Sequence, residues 1–230
     1  DVADAAAAEA ARAISTGVGA ANGTFEDIAL VGVSCRLPGD INDMDEMWEA
    51  LRSGANKRSE VSLQRWDTDA LISASGEQTA TLDRIRYGGF LSDEVIESFR
   101  TSLFGLSDSE ASRMDPAQRL LLEVAYDAFK DAGHDKESLR GQRAGVFVGA
   151  SGSMGGNGME EGQTGLSSVK AGPAGAEGMS VYGATSSSLS IAAGRVSYTL
   201  GLQGPCLVTD TACSSSLVAL HAARRSLQLG

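Results

Sequence analysis

Short apolar runs alternating with helical patterns, and not joined by hairpin turns, leave this chain few ways to fold. Ile28-Ala29-Leu30-Val31-Gly32-Val33 reads as a buried strand ended by the loop Cys35-Arg36-Leu37-Pro38-Gly39. Gly145-Val146-Phe147-Val148-Gly149 and Leu207-Val208-Thr209 read as two more strands. Strands separated by helices form a largely parallel sheet covered on its faces. The expected class is therefore α/β, with a predominantly parallel core sheet covered by helices.

The helices are marked by their ends. Met44 to Leu51 reads as a short amphipathic helix stopped at Ser53-Gly54. Asp115-Pro116-Ala117-Gln118 opens the clearest one: Asp115 caps it, Pro116 suits the first helical position, and Gln118 can reach back in a capping box. Leu120, Leu121, Val124, Ala125, Ala128 and Phe129 then make one apolar face, and Gly133 ends the helix. A further helix is expected from about Thr185 to Val196, and another after Cys213 carrying Leu217, Leu220 and Leu227. Ala55 to Gly89 is polar and weakly periodic, so irregular surface structure is expected. Ser151 to Gly178 is rich in Gly and Ser and reads as a mobile surface loop. Its Ser153-Met154-Gly155-Gly156-Asn157-Gly158 lacks the spacing of a dinucleotide fingerprint.

Composition narrows the function classes. The 230 residues can bury one sizeable core, and 42% hydrophobic content with 28 glycines suits a globular α/β protein with tight loops. A net charge of -11 disfavours nucleic acid and anionic membrane as partners. Cys35, Cys206 and Cys213 are an odd set without short regular spacing, which argues against a disulfide framework or zinc knuckle. A reducing compartment is expected, cytoplasmic or an organellar stroma or matrix. No apolar run approaches membrane-spanning length. Residues 1–26 are Ala-rich without a basic start or leucine-rich core, and read as a linker or extension rather than a secretory signal.

The chemistry concentrates at Cys213. A buried strand leads to it and a helix leaves from it, so it lies near unpaired backbone amides and the positive end of the helix dipole. Both favour a thiolate able to attack a thioester. Ala212, Ser214 and Ser215 are small and leave room for an acyl chain, and the Cys213 amide can donate to the oxyanion formed on attack. The alternative at the same position is an inert buried cysteine. Cys35 and Cys206 read as core or loop residues. A Cys–His dyad fares poorly. His221, eight residues along the same helix, is displaced by a rise of about 12 Å and reads as packed or structural. His134 follows Gly133 and reads as capping or exposed. Two histidines without a cysteine pair give no zinc site.

An ordered series of motifs from about Asp27 to Gly230 resembles a polyketide-type β-ketoacyl synthase. It comprises the strand and loop through Gly39, then Arg65-Trp66-Asp67 and Gly88-Gly89-Phe90. Phe104-Gly105-Leu106-Ser107 and Met114-Asp115-Pro116-Ala117-Gln118-Arg119-Leu120-Leu121-Leu122-Glu123 follow. Next come Asp131-Ala132-Gly133 and the Gly145–Gly149 run. Ala193-Gly194-Arg195-Val196-Ser197-Tyr198 and Asp210-Thr211-Ala212-Cys213-Ser214-Ser215-Ser216-Leu217 close the series. The resemblance implies the N-terminal half of a thiolase-like fold made of two similar α/β halves, and a dimer or larger assembly. It matches Cys213 to the cysteine that accepts an acyl group from the phosphopantetheine arm of an acyl carrier protein. That group would then be condensed with a decarboxylated malonyl-type extender. It places the two assisting histidines and a lysine in a complementary second half, on the same or another chain, and gives His221 no such role. No directly bound cofactor or metal is implied.

Three departures stand out: Arg100 where the family usually has Asp after Phe, Ser107-Asp108-Ser109-Glu110 in place of a Ser-Pro-Arg-Glu pattern, and Thr185-Ser186 where Thr-Gly is common. None resembles the inactive partner subunits that replace the active cysteine. Three functions remain to be separated: a condensing enzyme acylated at Cys213, a non-catalytic structural or interaction subunit with a ketosynthase half-fold, and an acyltransferase or thioester hydrolase that does not condense.

Overall fold

The computed structural model describes residues 27–63, 65–75, 86–151 and 189–229. Leu30–Ala223 form one compact unit. The Ala-rich segment 1–26, nearly all of the loop expected over Ser151–Gly178, and Thr185-Ser186 lie outside the described residues.

In chain order the elements are α1 (Met44–Ser53), β1 (Ser59–Glu60), α2 (Thr68–Ser75), β2 (Tyr87–Gly88), α3 (Asp93–Glu97), α4 (Thr101–Phe104), α5 (Asp108–Ala111), α6 (Pro116–Asp131), α7 (Lys136–Leu139), β3 (Val146–Gly149), α8 (Leu189–Leu200), β4 (Cys206–Thr209) and α9 (Ser215–Leu229). A 3-10 turn over Ala212–Ser214 leads into α9. β3 and β4 pair in parallel, Val146 opposite Cys206 and Gly149 opposite Thr209. β1 and β2 form a separate antiparallel pair. The mixture is α/β, and the parallel pair sits where the sequence placed it.

The helix ends follow local chemistry. Asp43 caps α1 through Glu46 N–H, and Gly54 closes it in the left-handed region at φ 63. Asp115 accepts from Ala117 N–H at the start of α6 (2.7 Å), with Pro116 in the first turn. At its other end Gly133 N–H donates to the Lys130 carbonyl and His134 N–H to the Phe129 carbonyl, both 2.9 Å. That is the paired closure a left-handed glycine permits, and Gly133 has φ 84.

The core forms where α6 and α8 meet over β3 and β4. α8 packs on both strands and on α6. Leu122, Tyr126, Val146, Val148, Val196 and Leu200 are its buried centre. Phe104 stands edge-on to Tyr126 and stacks on Phe99, with ring centroids 5.9 Å and 5.4 Å away. Arg195 on α8 ties the layer together by donating to Gln118 Oε1 (2.9 Å) on α6 and to Glu110 Oε1 (3.0 Å) on α5. Leu122 is fully buried, so Leu122→Ala is expected to lower stability by about 2–5 kcal/mol, read from chemical denaturation of the intact protein.

Several expectations are corrected. Ile28–Val33 forms no strand and pairs with none among the described residues, and Leu30 and Val31 are exposed at 78% and 72%. Its attachment is instead to α6: Val33 N–H donates to Asp131 Oδ2 (2.9 Å). A side chain at Gly32 would strike the Ala128 carbonyl. Because α8 and α3 both pack on α6, the helix is buried on more than the expected stripe. Leu122 and Tyr126, not Leu120 and Val124, lie deepest. Gln118 does not close a capping box, since its carbonyl oxygen serves Arg195. Ala55–Gly89 contains β1, β2 and α2, stitched by Arg86 to Glu60 (3.2 Å) and Asp69 (2.5 Å).

Arg100 stands at the N-cap of α4 without a side-chain cap. Its guanidinium reaches Glu123 and Asp127, both at 3.1 Å, and Arg36 reaches the other Asp127 oxygen at 2.7 Å. The departure thus supplies a cross-link between α4 and α6. Ser107 caps α5 through Glu110 N–H (3.2 Å), and Asp108 accepts from Thr101 Oγ1 (2.9 Å).

Candidate active site

The carboxyl ends of β3 and β4 converge on the turn that carries Cys213. This end of a parallel pair is where open α/β folds place their chemistry. β4 runs out at Thr209, Ala212–Ser214 make the turn, and α9 starts at Ser215. The strand is not buried as expected. Cys206 is exposed and Leu207–Thr209 are half-buried, because β3 is the only strand that pairs with β4 among the described residues.

The turn is strained. Ala212 has φ 54, in the left-handed region. For a residue with a Cβ this costs about 1–2 kcal/mol, and such outliers persist only where surrounding bonds enforce them. Those bonds are present. Ala212 N–H donates to Asp210 Oδ1 (3.0 Å). Thr211 N–H donates to Ser215 Oγ (2.9 Å), and Ser215 Oγ donates to the Ala212 carbonyl (2.7 Å). Thr209 Oγ1 donates to the Ser215 carbonyl (3.2 Å). Ser214 Oγ lies 2.9 Å from both the Thr211 carbonyl and Thr211 Oγ1.

Cys213 is exposed on this turn at the N-terminal end of α9. Its own N–H has no acceptor among the described residues. A sulfur with open approach, an adjacent uncommitted N–H and a helix N-terminus can together attack a carbonyl and receive the resulting negative charge.

The other cysteines differ. Cys35 is half-buried, and burial pushes its thiol up, with the Arg36 guanidinium opposing and Asp43 and Glu46 adding to the rise. Its sulfur donates to the Asp43 carbonyl at 3.3 Å. Cys206 opens β4 rather than preceding it, and desolvation pushes its thiol up too. His134 is exposed and gives its backbone N–H to the α6 closure, in line with a capping role. His221 is exposed on α9, so of the packed or structural reading the packed one does not hold.

α9 also turns a different face. Ser215 and Ala219 are its buried residues, one helical turn apart, whereas Leu217 and Leu220 are exposed at 71% and 61%. Two small side chains let the helix start press close against the end of β3. There, a Cβ on Gly149 would strike the backbone of Ser215 and Ser216. The close approach is made by the small residues rather than by the leucines the helix carries. A depression of about 440 Å³ lined by Arg140, Tyr198 and Gln203 lies at the opposite, amino ends of the strands, away from Cys213.

Residues 25–230 match the family described as β-ketoacyl synthase, N-terminal domain. The chain is 44% identical over 206 residues to the polyketide synthase GfsB of Streptomyces halstedii, covering 89% of this chain and 3% of that protein. It is 42% identical over 222 residues to the spectinabilin polyketide synthase system protein NorC of Streptomyces orinoci, covering 96% and 9%. Among solved structures, it resembles the ketosynthase from module 6 of the bacillaene synthase of Bacillus subtilis 168, with TM-score 0.63 and 32% identity over 86% of this chain and 29% of that one. It also resembles an oxazolomycin ketosynthase domain of Streptomyces albus JA3453, with TM-score 0.64 and 32% identity over 89% and 33%. The chain thus spans a small part of the polyketide synthases and about a third of the ketosynthase chains that it matches.

Proposed function

Because this chain belongs to the β-ketoacyl synthase family, as its N-terminal domain over residues 25–230, we propose that Cys213 is the acyl-accepting nucleophile of a condensing enzyme in polyketide or fatty acid synthesis. The observation that carries the assignment is the exposed cysteine on a braced left-handed turn at the start of a helix. In the first half-reaction the Cys213 thiolate attacks the carbonyl carbon of an acyl thioester. The Cys213 N–H supports the tetrahedral oxyanion, and collapse breaks the C–S bond to release the phosphopantetheine thiolate of an acyl carrier protein, which takes a proton from solvent. In the second, a malonyl-type thioester loses carbon dioxide, the resulting carbanion attacks the acyl–Cys213 carbonyl, and the Cys213 thiolate departs.

Decarboxylation is assigned to two histidines and a lysine of a complementary second half. Neither His134 nor His221 is placed to act on Cys213: His134 closes α6, and His221 lies about 9 Å along α9 from its start, beyond the Cys213 turn. The exposed Leu217 and Leu220 on α9 give that second half an apolar surface to cover. Assembly as a dimer or larger complex belongs to the same proposal. No helix among the described residues is long and apolar enough to cross a membrane.

The test is peptide mapping after incubating the native polypeptide that carries this chain with an acyl thioester of a short phosphopantetheine mimic. One acyl group on the peptide containing Cys213 is expected. Label on Cys35 or Cys206, whose thiols are pushed up, or an unmodified protein, rejects the assignment and leaves the structural-subunit function. Malonyl thioester added next should release carbon dioxide and yield a β-ketoacyl product. Acyl transfer without either would mark an acyltransferase.

A further inference from the structure

We propose that Ser215 is a positioning residue for the nucleophile: its buried hydroxyl clasps both ends of the left-handed turn at Ala212 and so fixes the direction in which Cys213 presents its sulfur. This rests on Cys213 being the acylated group.

Ser215 is only 4% exposed, two residues beyond a cysteine that is open to solvent. A serine at a helix N-cap turns its oxygen forward to the uncapped N–H groups; Ser215 is the first helical residue of α9. The Ser215 hydroxyl instead turns back. It accepts from Thr211 N–H at 2.9 Å and donates to the Ala212 carbonyl at 2.7 Å. These two groups lie on either side of the turn centred on Ala212, whose φ is 54. Relaxing the turn toward ordinary backbone angles would break one of these two bonds. The Ser215 carbonyl is held in turn by Thr209 Oγ1 (3.2 Å), so the clasp is anchored to the end of β4. Behind it, the absent side chain of Gly149 lets β3 back directly onto the Ser215 backbone. Ser214 does not duplicate this role. It is exposed and its hydroxyl reaches only Thr211.

The test is single-turnover acylation of the native polypeptide by the same thioester probe, reading rate constant, half-saturating concentration and final extent of label on the Cys213 peptide. Ser215→Ala should slow the saturated rate by about 10–100-fold, the scale expected from misplacing a reacting atom. The half-saturating concentration and the final extent should stay as in the parent. A residue that only supports folding would lower the extent and leave the rate of the surviving fraction unchanged, which overturns the proposal. Ser215→Thr, which keeps the hydroxyl, should recover most of the rate, and a folded Ser215→Thr as slow as Ser215→Ala overturns it. If Ser215→Ala does not fold, Ser215→Ala combined with Ala212→Gly removes the clasp and the left-handed penalty together. The parent rate in that double variant also overturns the proposal. Label persisting in Cys213→Ala instead sinks the nucleophile assignment itself, whatever Ser215 does.

Discussion

Gly149→Ala should disable the site although it adds one methyl group to a residue outside the Cys213 turn. The Cβ would meet the Ser215 carbonyl carbon, the Ser216 nitrogen and, at 2.6 Å, the Ser215 oxygen. All three are backbone atoms of the first turn of α9, so no side chain can swing aside. Either β3 or the start of the helix must move. Overpacking of this kind typically costs about 1–3 kcal/mol. A displacement of about 1 Å at a reacting atom lowers rates on the order of a hundredfold. Gly149→Ala is therefore expected to lower the denaturation midpoint and to slow Cys213 acylation by about that factor. Gly105→Ala is the control. Gly105 has φ 68 but nothing within 4 Å of an added Cβ, so it should pay only the backbone penalty of about 1–2 kcal/mol and leave acylation untouched. Equal acylation rates in the two variants would contradict the close approach.

The second large effect is at Cys213 itself. Cys213→Ala should abolish the acyl adduct. Cys213→Ser keeps most of the volume but replaces the sulfur with a hydroxyl oxygen, a weaker nucleophile. Removing the attacking group of a covalent mechanism costs orders of magnitude, here about 10³-fold or more in transfer rate. Stability should barely change, within about 0.5 kcal/mol, because the side chain is exposed on the turn. Thermal unfolding and intact mass separate the two effects. A serine variant that acylates at the parent rate would remove Cys213 from the mechanism.

What the sequence made legible was governed by neighbours along the chain. Asp115, Pro116 and Gly133 mark the ends of α6 because capping is local, and the structure keeps all three in those roles. The parallel β3–β4 pair follows from apolar runs of strand length. Cys213 was singled out from its strand-to-helix setting and from the family motif around it. Features fixed by distant partners were not legible. Ile28–Val33 has the composition of a strand, yet it pairs with no strand among the described residues, and Gly32 and Val33 lie against α6 instead. Gln118 suits a capping box in sequence, but Arg195, far along the chain, takes its oxygen. Ser215 was noted only as small, since the bonds that make it a clasp depend on the φ of Ala212. A signal did exist in the glycine ending β3: an unbranched, side-chain-free residue at a strand terminus marks a close backbone approach.

The contact between Gly149 and Ser215 also sets an order of events in folding. β3 and β4 lie far apart in sequence, with α8 between them. Their pairing requires closure of a long loop, which is slow compared with forming a helix. The turn at Cys213 cannot reach its final shape until that pairing has brought Gly149 beneath it. Helix α6, capped by its own residues, needs no such wait. The Cys213 turn is thus expected to form late in folding, and the labelling rate of its sulfur during refolding should follow the arrival of long-range order rather than the appearance of secondary structure.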